Sequence, residues 1–473
     1  MTAIPSAMLT PATGTGPGLT AQYWHTPSFS GAPAVTRVER QVNYDVGFAS
    51  TFPNWAGAGT QVPLPPTNFF LEQQAVKYDG FLTPPTTGDY QLSLTGWGDA
   101  TLSLDGTPII DMTGQNGRRV VDSPVLRLVA GVRYALHIEY RATRPLTGLQ
   151  PGTLLLQWHT PAGIQLPGIE QAVAAARAAD VAIVYVRDFE TEERDRVPLK
   201  LPQSADQLIN AVSAANPHTV VVLATGGPVT MPWIGSVAAV VQTYFGGQEQ
   251  GRALADVLWG DVNPQGKLTV TYPTSEQATP PGPQNPWNGI ASPDITYSEG
   301  VDVGYKGYDV AGIGPLFPFG FGLSYTTFEL SDLRVDRSEI ATAGGECIVR
   351  VDVANTGDRT GDEVVQLYVR DEEAEVARPV IELRGFARVS LAPGERRSVA
   401  FTLHSEQFAY TGVDHRRIVE PGRITLHVGR SSIDRQLTTA IHLTGRTVHL
   451  ADRHRYLTPV NVSGPTVGIA GTD

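Results

Sequence analysis

The densest polar chemistry in the chain lies in one run: Arg187-Asp188-Phe189-Glu190-Thr191-Glu192-Glu193-Arg194-Asp195-Arg196. A carboxyl crowded by other carboxyls tends toward a raised pKa, which suits a general acid working near neutral pH. The run directly follows an apolar, β-branched stretch at 181–186. In open α/β sheets ligands bind beyond the carboxyl ends of the strands, and this segment would lie there. Acid–base work on a bound small molecule is one reading. A solvated charged loop is the plain alternative, since charge runs usually are that.

Other constellations fall short of a chemical signature. Gly260-Asp261-Val262-Asn263-Pro264-Gln265-Gly266-Lys267 is like a phosphate loop but one residue too long. Leu268 stands where that loop needs a hydroxyl, and a helical stretch rather than a strand precedes it. It reads as a turn entering an extended segment. Gly226-Gly227-Pro228 reads as a βα turn without the dinucleotide fingerprint. The ten His are scattered without ligand spacing, so no metal site and no cofactor are expected. No nucleophile-elbow serine occurs. Trp24 and Trp97 could stack on a sugar ring, although tryptophan in a β-sandwich is more often packing.

The elements that must position these residues follow from periodicity. Residues 1–17, rich in Pro, Thr and Gly, read as an extended arm. Residues 18–160 alternate in strand fashion at 90–94, 100–104, 132–140 and 153–158. Thr87-Gly88-Asp89, Asp105-Gly106 and Ala130-Gly131 mark turns, so a β-sandwich is expected. The period changes over 167–275. Helices are expected at 169–179, 204–215 and 249–259, strands at 181–186, 219–224 and 237–244, and an extended segment at 267–272. Alternating strand and helix imply an α/β layer with a mainly parallel sheet. The continuous apolar run at 181–186 implies a strand covered on both faces.

Residues 276–330 read as a loop-rich linker. Residues 331–445 alternate again at 347–353, 363–369, 397–403 and 423–428, with turns at Asn355-Thr356-Gly357 and Pro393-Gly394. A second, smaller sandwich of immunoglobulin or fibronectin type is expected. Residues 446–473 read as a polar tail of little order. The expected fold class is multidomain, α/β plus all-β.

Composition bounds the function. A chain of 473 residues, 41% hydrophobic and 17% charged, reads as two to four globular domains. The net charge of -12 and the lack of a Lys/Arg block argue against nucleic acid. Cys347 stands alone, so no intrachain disulfide forms, which favours a reducing compartment. The first twenty residues hold no Lys or Arg and no apolar core, so neither a signal peptide nor a membrane span is expected. The expected location is cytoplasmic.

Long strings in the α/β segment resemble glycoside hydrolase family 3. They are Leu201-Pro202 with Gln207-Leu208-Ile209, Ala215-Asn216-Pro217, Gly227-Pro228-Val229 with Met231-Pro232-Trp233, and Gly247-Gln248-Glu249. Ala255-Asp256-Val257-Leu258, Gly260-Asp261-Val262-Asn263-Pro264, Gly266-Lys267-Leu268 and Tyr272-Pro273 follow in order. Glu299-Gly300, Val303-Gly304-Tyr305 and Tyr308 resemble the family's linker. Pro318-Phe319-Gly320-Phe321-Gly322-Leu323-Ser324-Tyr325-Thr326 is its most recognisable tag, with Phe321 where many relatives have His. The last segment, with Glu363-Val364-Val365-Gln366-Leu367-Tyr368-Val369, is similar to the family's fibronectin type III domain. Residues 18–160, with Gly88-Asp89-Tyr90 and Leu104-Asp105-Gly106, resemble a protective-antigen-type (PA14-like) sandwich. In lectins of that class paired aspartates bind calcium. Here the pair is Gly98-Asp99, so no calcium site is expected.

The resemblance implies a β-glucosidase-like enzyme acting on a β-glucoside. The family's proton donor is the Glu of a Glu-Gly-x-Asp-Arg string, and Glu192-Glu193-Arg194-Asp195-Arg196 occupies that place. Glu192 is therefore the acid/base candidate and Glu190 the second choice, with Asp195 and Arg196 as ordering neighbours. Glu193 departs from the family's Gly. Retaining hydrolysis needs two carboxyls about 5 Å apart. The family's nucleophile sits in an N-terminal barrel for which no pattern occurs here, so no nucleophile is assigned. Ser331-Asp332 only superficially resembles the nucleophile string and reads as linker. The α/β sheet also lacks its first strand, which should leave an edge and an apolar surface uncovered. A fragment, a split gene with a barrel-bearing partner chain, and a decayed remnant all fit. A non-catalytic carbohydrate-binding or scaffold protein is the rival reading.

Overall fold

The computed structural model describes residues 2–45, 74–114, 119–142, 153–161, 167–188, 199–201, 205–280, 297–450, 455–464 and 466–467. They form two compact units, Met1–Ala224 with Trp233–Gln242, and Thr225–Pro232 with Thr243–Asp473.

The first unit opens with a sandwich of two antiparallel sheets. One runs Thr2–Ala3, Thr153–His159, Gly88–Trp97, Arg119–Asp122 in spatial order. The other runs Val35–Glu39, Leu19–Trp24, Gln74–Leu82, Tyr134–Ala142, Asp99–Leu104, Thr107–Asp111. Asp99–Leu104 alternates strictly between half-buried and buried residues, as a strand with one face on a core must. The core includes Tyr90, Leu92, Leu94, Ile138, Tyr140 and Trp158. Each such side chain contributes about 1.5–3 kcal/mol on leaving water. Asp105 and Gly106 both take positive φ, 48° and 77°, giving the two-residue hairpin that an Asp-Gly pair favours. The leading residues are not a free arm. Thr2 and Ala3 pair with Trp158 and Gln157, and Leu9–Pro11 pairs with the 80–82 stretch. Ile4, Met8 and Leu9 are the buried anchors that hold them.

The same unit carries helices Pro167–Arg177 and Ala205–Ala215 and the strands Ala182–Arg187, Thr219–Ala224 and Ala239–Gln242. The strands are parallel and lie in chain order. Ile169, Val173, Ile209 and Val212 are the buried stripe of the two helices. The Ala182–Arg187 strand is not covered on both faces. Ala182, Val184 and Val186 are buried, but Val181, Ile183 and Tyr185 are 52%, 43% and 48% exposed. An apolar run carries no record of how many layers flank it. Among the described residues this strand is the sheet's edge, matching the uncovered surface expected of a short sheet.

In the second unit a sandwich closes around Val351, Val365, Leu367, Phe401, Leu426 and Val428. One sheet runs Phe328–Val335, Glu346–Asn355, Glu395–His404, Val460–Val462. The other runs Glu339–Ala341, Leu437–Thr444, Gly422–Gly429, Gly361–Asp371, Glu382–Leu391. Two expectations are corrected here. Described parts of 446–473 are strands: Val448–His449 pairs with Arg417–Val419, and Val460–Val462 with 399–401. Ser331-Asp332 is not linker but a bulge inside Phe328–Val335, with Asp332 at φ 52° and a register shift before Arg334. The 267–272 segment, expected to be extended, forms a bridge from Tyr272 to Phe317. The linker also contains a helix, Tyr305–Ala311, bracketed by Gly304 and Gly312 at φ 66° and 63°.

The Pro318-to-Thr326 tag has a physical reason. Leu268 N–H donates to Phe321 O and Gly320 N–H to Leu268 O, both at 2.8 Å. A Cβ on Gly320 would meet Gln366 Oε1 at 2.2 Å, and one on Gly322 would meet Gly266 O at 2.2 Å. Gly320 also sits at φ 82°, and Gly322 faces backbone, so both places favour glycine. Lys267 Nζ donates to Gly322 O at 2.9 Å and pairs with the Glu363 carboxylate at 2.7 Å. Asn263 Oδ1 accepts from Ser324 Oγ and Tyr325 N–H. Thr326 Oγ1 donates to Asn355 Oδ1 at 2.7 Å, and Asn355 Nδ2 donates to the Arg359 and Leu391 carbonyls. The tag therefore clips the Asn263–Lys267 turn to the sandwich.

Candidate active site

The candidate site begins where the Ala182–Arg187 strand ends. In the parallel register Arg187 lies opposite Ala224, and Leu223 opposite Gln242. Asp188 N–H extends the ladder to Ala224 O at 3.4 Å. The three carboxyl ends thus share one edge of the sheet, the edge at which α/β folds place ligands.

Two side chains fix the scaffold behind that edge. Asn216, 5% exposed, donates from Nδ2 to the carbonyls of Ala176 and Ala179, at 3.0 and 2.8 Å. Those carbonyls belong to the end of helix Pro167–Arg177 and the turn after it, where backbone acceptors lack helical partners. Asn216 Oδ1 meanwhile accepts from His218 N–H, fixing entry into the Thr219–Ala224 strand. Trp233, 1% exposed, donates from Nε1 to Asp206 Oδ1 at 2.8 Å. Burial raises the Asp206 carboxyl above the usual aspartate range, against the pull of that hydrogen bond.

Asp188 itself is 1% exposed. It continues the phase of Ala182, Val184 and Val186, every second residue turning to the buried side, whereas Arg187 is exposed. The alternation is visible in the structure but not in the continuous apolar sequence 181–186, so sequence reasoning had no signal for the burial of Asp188. Glu190, Glu192, Asp195 and Arg196 lie outside the described residues, as do all of 189–198.

The sandwich offers less chemistry. Trp24 is 7% exposed, donates from Nε1 to Gly31 O and meets Phe29 edge-on, so it packs. The side chain of Trp97 lies outside the described residues. Gly98 sits at φ 123°, and a Cβ there would meet Arg141 O and the Tyr140 ring at 2.8 Å. The position that would supply a first aspartate in a lectin pair therefore has no room for a side chain. Beside it Lys77 and Arg141 pair with Glu139 at 2.9 and 2.7 Å, and both stand over the Phe29 ring. His137 Nδ1 lies 2.6 Å from Asp79, and that hydrogen bond raises the imidazole pKa against the opposing effect of burial.

Residues 93–325 match the glycosyl hydrolase family 3 C-terminal domain, 16–166 the PA14 domain and 363–432 the fibronectin type III-like domain. A beta-glucosidase of Rhizobium radiobacter is 37% identical over 402 residues, 80% of this chain and 48% of that protein. Thermostable beta-glucosidase B of Acetivibrio thermocellus is 42% identical over 295 residues, 62% of this chain and 38% of that protein. Among solved structures, the glucose complex of the Kluyveromyces marxianus beta-glucosidase is similar with TM-score 0.55 and 30% identity. That match covers 95% of this chain and 53% of the other. DesR, a beta-glucosidase from Streptomyces venezuelae solved with D-glucose, gives TM-score 0.57 at 37% identity, covering 78% and 46%. The chain spans about half the length of the relatives it matches most fully. The chain carries a glycosyl hydrolase family 3 C-terminal domain together with PA14 and fibronectin type III-like domains.

Proposed function

We propose that this chain supplies the acid/base half of a retaining β-glucosidase site, with the nucleophile supplied from outside these residues. The observation that carries the proposal is that the Ala182–Arg187 strand ends at the carboxyl edge of a parallel sheet and that the carboxylate-rich sequence 189–196 follows it in the chain. The names of the relatives, beta-glucosidases over the shared half, support the same chemistry. Glu192 protonates the glycosidic oxygen as the bond breaks, then takes a proton from the attacking water. Asp195 and Arg196 hold it in place, and Glu190 is the alternate acid. The substrate is a terminal β-D-glucoside. The nucleophilic carboxylate is not assigned within these residues.

The test has three arms on aryl and alkyl β-glucosides: the chain alone, the chain with a barrel-bearing partner, and the same pair with Glu192→Gln. The chain alone should not turn over. The pair should, and Glu192→Gln should cost about 10²–10⁴-fold. That loss should be larger on the alkyl glucoside, whose poor leaving group depends on the acid. Equal losses on both substrates would remove Glu192 from the role. A partnered chain that binds glucoside without turnover would favour the carbohydrate-binding reading, which the PA14 match supports.

A further inference from the structure

We infer that a cleft in the second unit, beside helix Tyr305–Ala311, binds a single neutral sugar ring without cleaving it. The inference does not rest on the acid/base role of Glu192. The cleft has a volume of about 210 Å³ and is lined by Tyr305, Tyr308, Ile313, Pro315 and Ile433, with Asp309 and Arg435 among its polar groups. Drug-sized ligands take pockets of about 300 Å³ and more, so this space suits one ring.

Its walls are held firmly. Tyr305 stacks on Phe319 at 4.8 Å, meets Tyr368 edge-on at 6.1 Å, and its hydroxyl accepts from Leu383 N–H at 2.9 Å. Tyr308 is 8% exposed. Ser432 N–H donates to Phe319 O at 2.9 Å, which fixes the facing turn. A site whose walls do not rearrange loses little free energy to ordering on binding.

The charge pattern selects the ligand. Arg435 donates to both Asp309 oxygens, at 3.1 and 3.2 Å, so the cleft carries one charge of each sign, already paired. An ion of either sign would meet its counterion's partner as well as its own. Adjacent hydroxyls on a neutral ring face no such conflict. One donates to the carboxylate while its neighbour accepts from the guanidinium, whose fork holds five N–H groups. The C–H face of the ring then rests on Tyr308, Ile313 and Pro315, the mixed apolar and polar surface that small-molecule sites present. Ile433, 52% exposed, forms the rim.

The full chain labelled at isoleucine methyls, titrated with methyl β-D-glucopyranoside, tests this by NMR. The Ile313 and Ile433 methyl signals should move together and saturate, while that of Ile183, on the sheet of the first unit, stays still. Asp309→Asn should weaken binding tenfold or more. Ile433→Ala, at an exposed rim position that should fold normally, should weaken it several-fold when read on Ile313. Absence of saturable shifts, or undiminished affinity in both folded variants, would overturn the inference. So would inorganic phosphate moving the same two methyls at equal or lower concentration, which would make the cleft an anion site.

Discussion

Replacing Lys267 by methionine should destabilise the second unit by about 3–5 kcal/mol although little volume is lost. The lysine lies 2.7 Å from Glu363, and the two side chains are 14% and 4% exposed. At an effective dielectric of about 20 that separation is worth about 6 kcal/mol of attraction. Withdrawing each ion from water costs several kcal/mol, so the intact pair contributes little net stability. Removing one partner is different. Glu363 would stay buried with the Val364 N–H at 2.7 Å as its remaining described donor, and Gly322 O would lose its bond from Lys267. The lost carbonyl bond adds about 1 kcal/mol. Glu363→Leu on top of Lys267→Met should recover most of the loss, because neither site then holds an unpaired charge. Hydrogen exchange of amides in Gly361–Asp371 reads the opening free energy of this unit directly. A single variant within about 1 kcal/mol of the parent, or a double variant less stable than either single, would refute the reasoning.

Asn216→Ala should cost about 1–3 kcal/mol in urea unfolding, because Asn216, 5% exposed, bonds the Ala176 and Ala179 carbonyls and the His218 N–H, and the Ala176 carbonyl bond is buried. His137 makes stability depend on pH. Its folded pKa is raised, chiefly by Asp79, so its contribution is complete below the ordinary value of 6.5 and fades as pH rises through the higher folded value. The gap in melting temperature between the parent and His137→Gln should therefore shrink as pH climbs above 6.5, and a gap that widened would contradict the assignment.

How much of this was legible follows from where each residue's constraint arises. The sandwich strands could be read because alternation is local: Asp99–Leu104 buries every second residue whatever its neighbours do. The tag could be read because Gly320 sits at φ 82° and Gly322 lies against the Gly266 carbonyl, 2.2 Å from any added Cβ, constraints that favour one residue type. Segments held from afar left no such mark. Thr2 owes its place to Trp158, and Val462 to Val399, so Pro- and polar-rich composition alone pointed to a loose arm and tail. The helix at Tyr305–Ala311 is two turns between glycines, too short for a helical period to emerge. The uncovered face of Ala182–Arg187 was invisible for another reason. Val, Ile and Tyr suit a strand equally whether one layer or two lies against it.

The burial of Asp188 bears on the two readings of the polar run that follows it. A loop that is merely solvated can leave a strand by any residue, and an exposed one costs nothing. Here the exit residue is an aspartate, 1% exposed, in phase with Val184 and Val186. A carboxylate in that place costs stability unless specific groups compensate it, and an apolar residue would have continued the strand at no cost. Asp188 thus continues the buried face of the strand by one residue, to the sheet edge at which α/β folds place ligands.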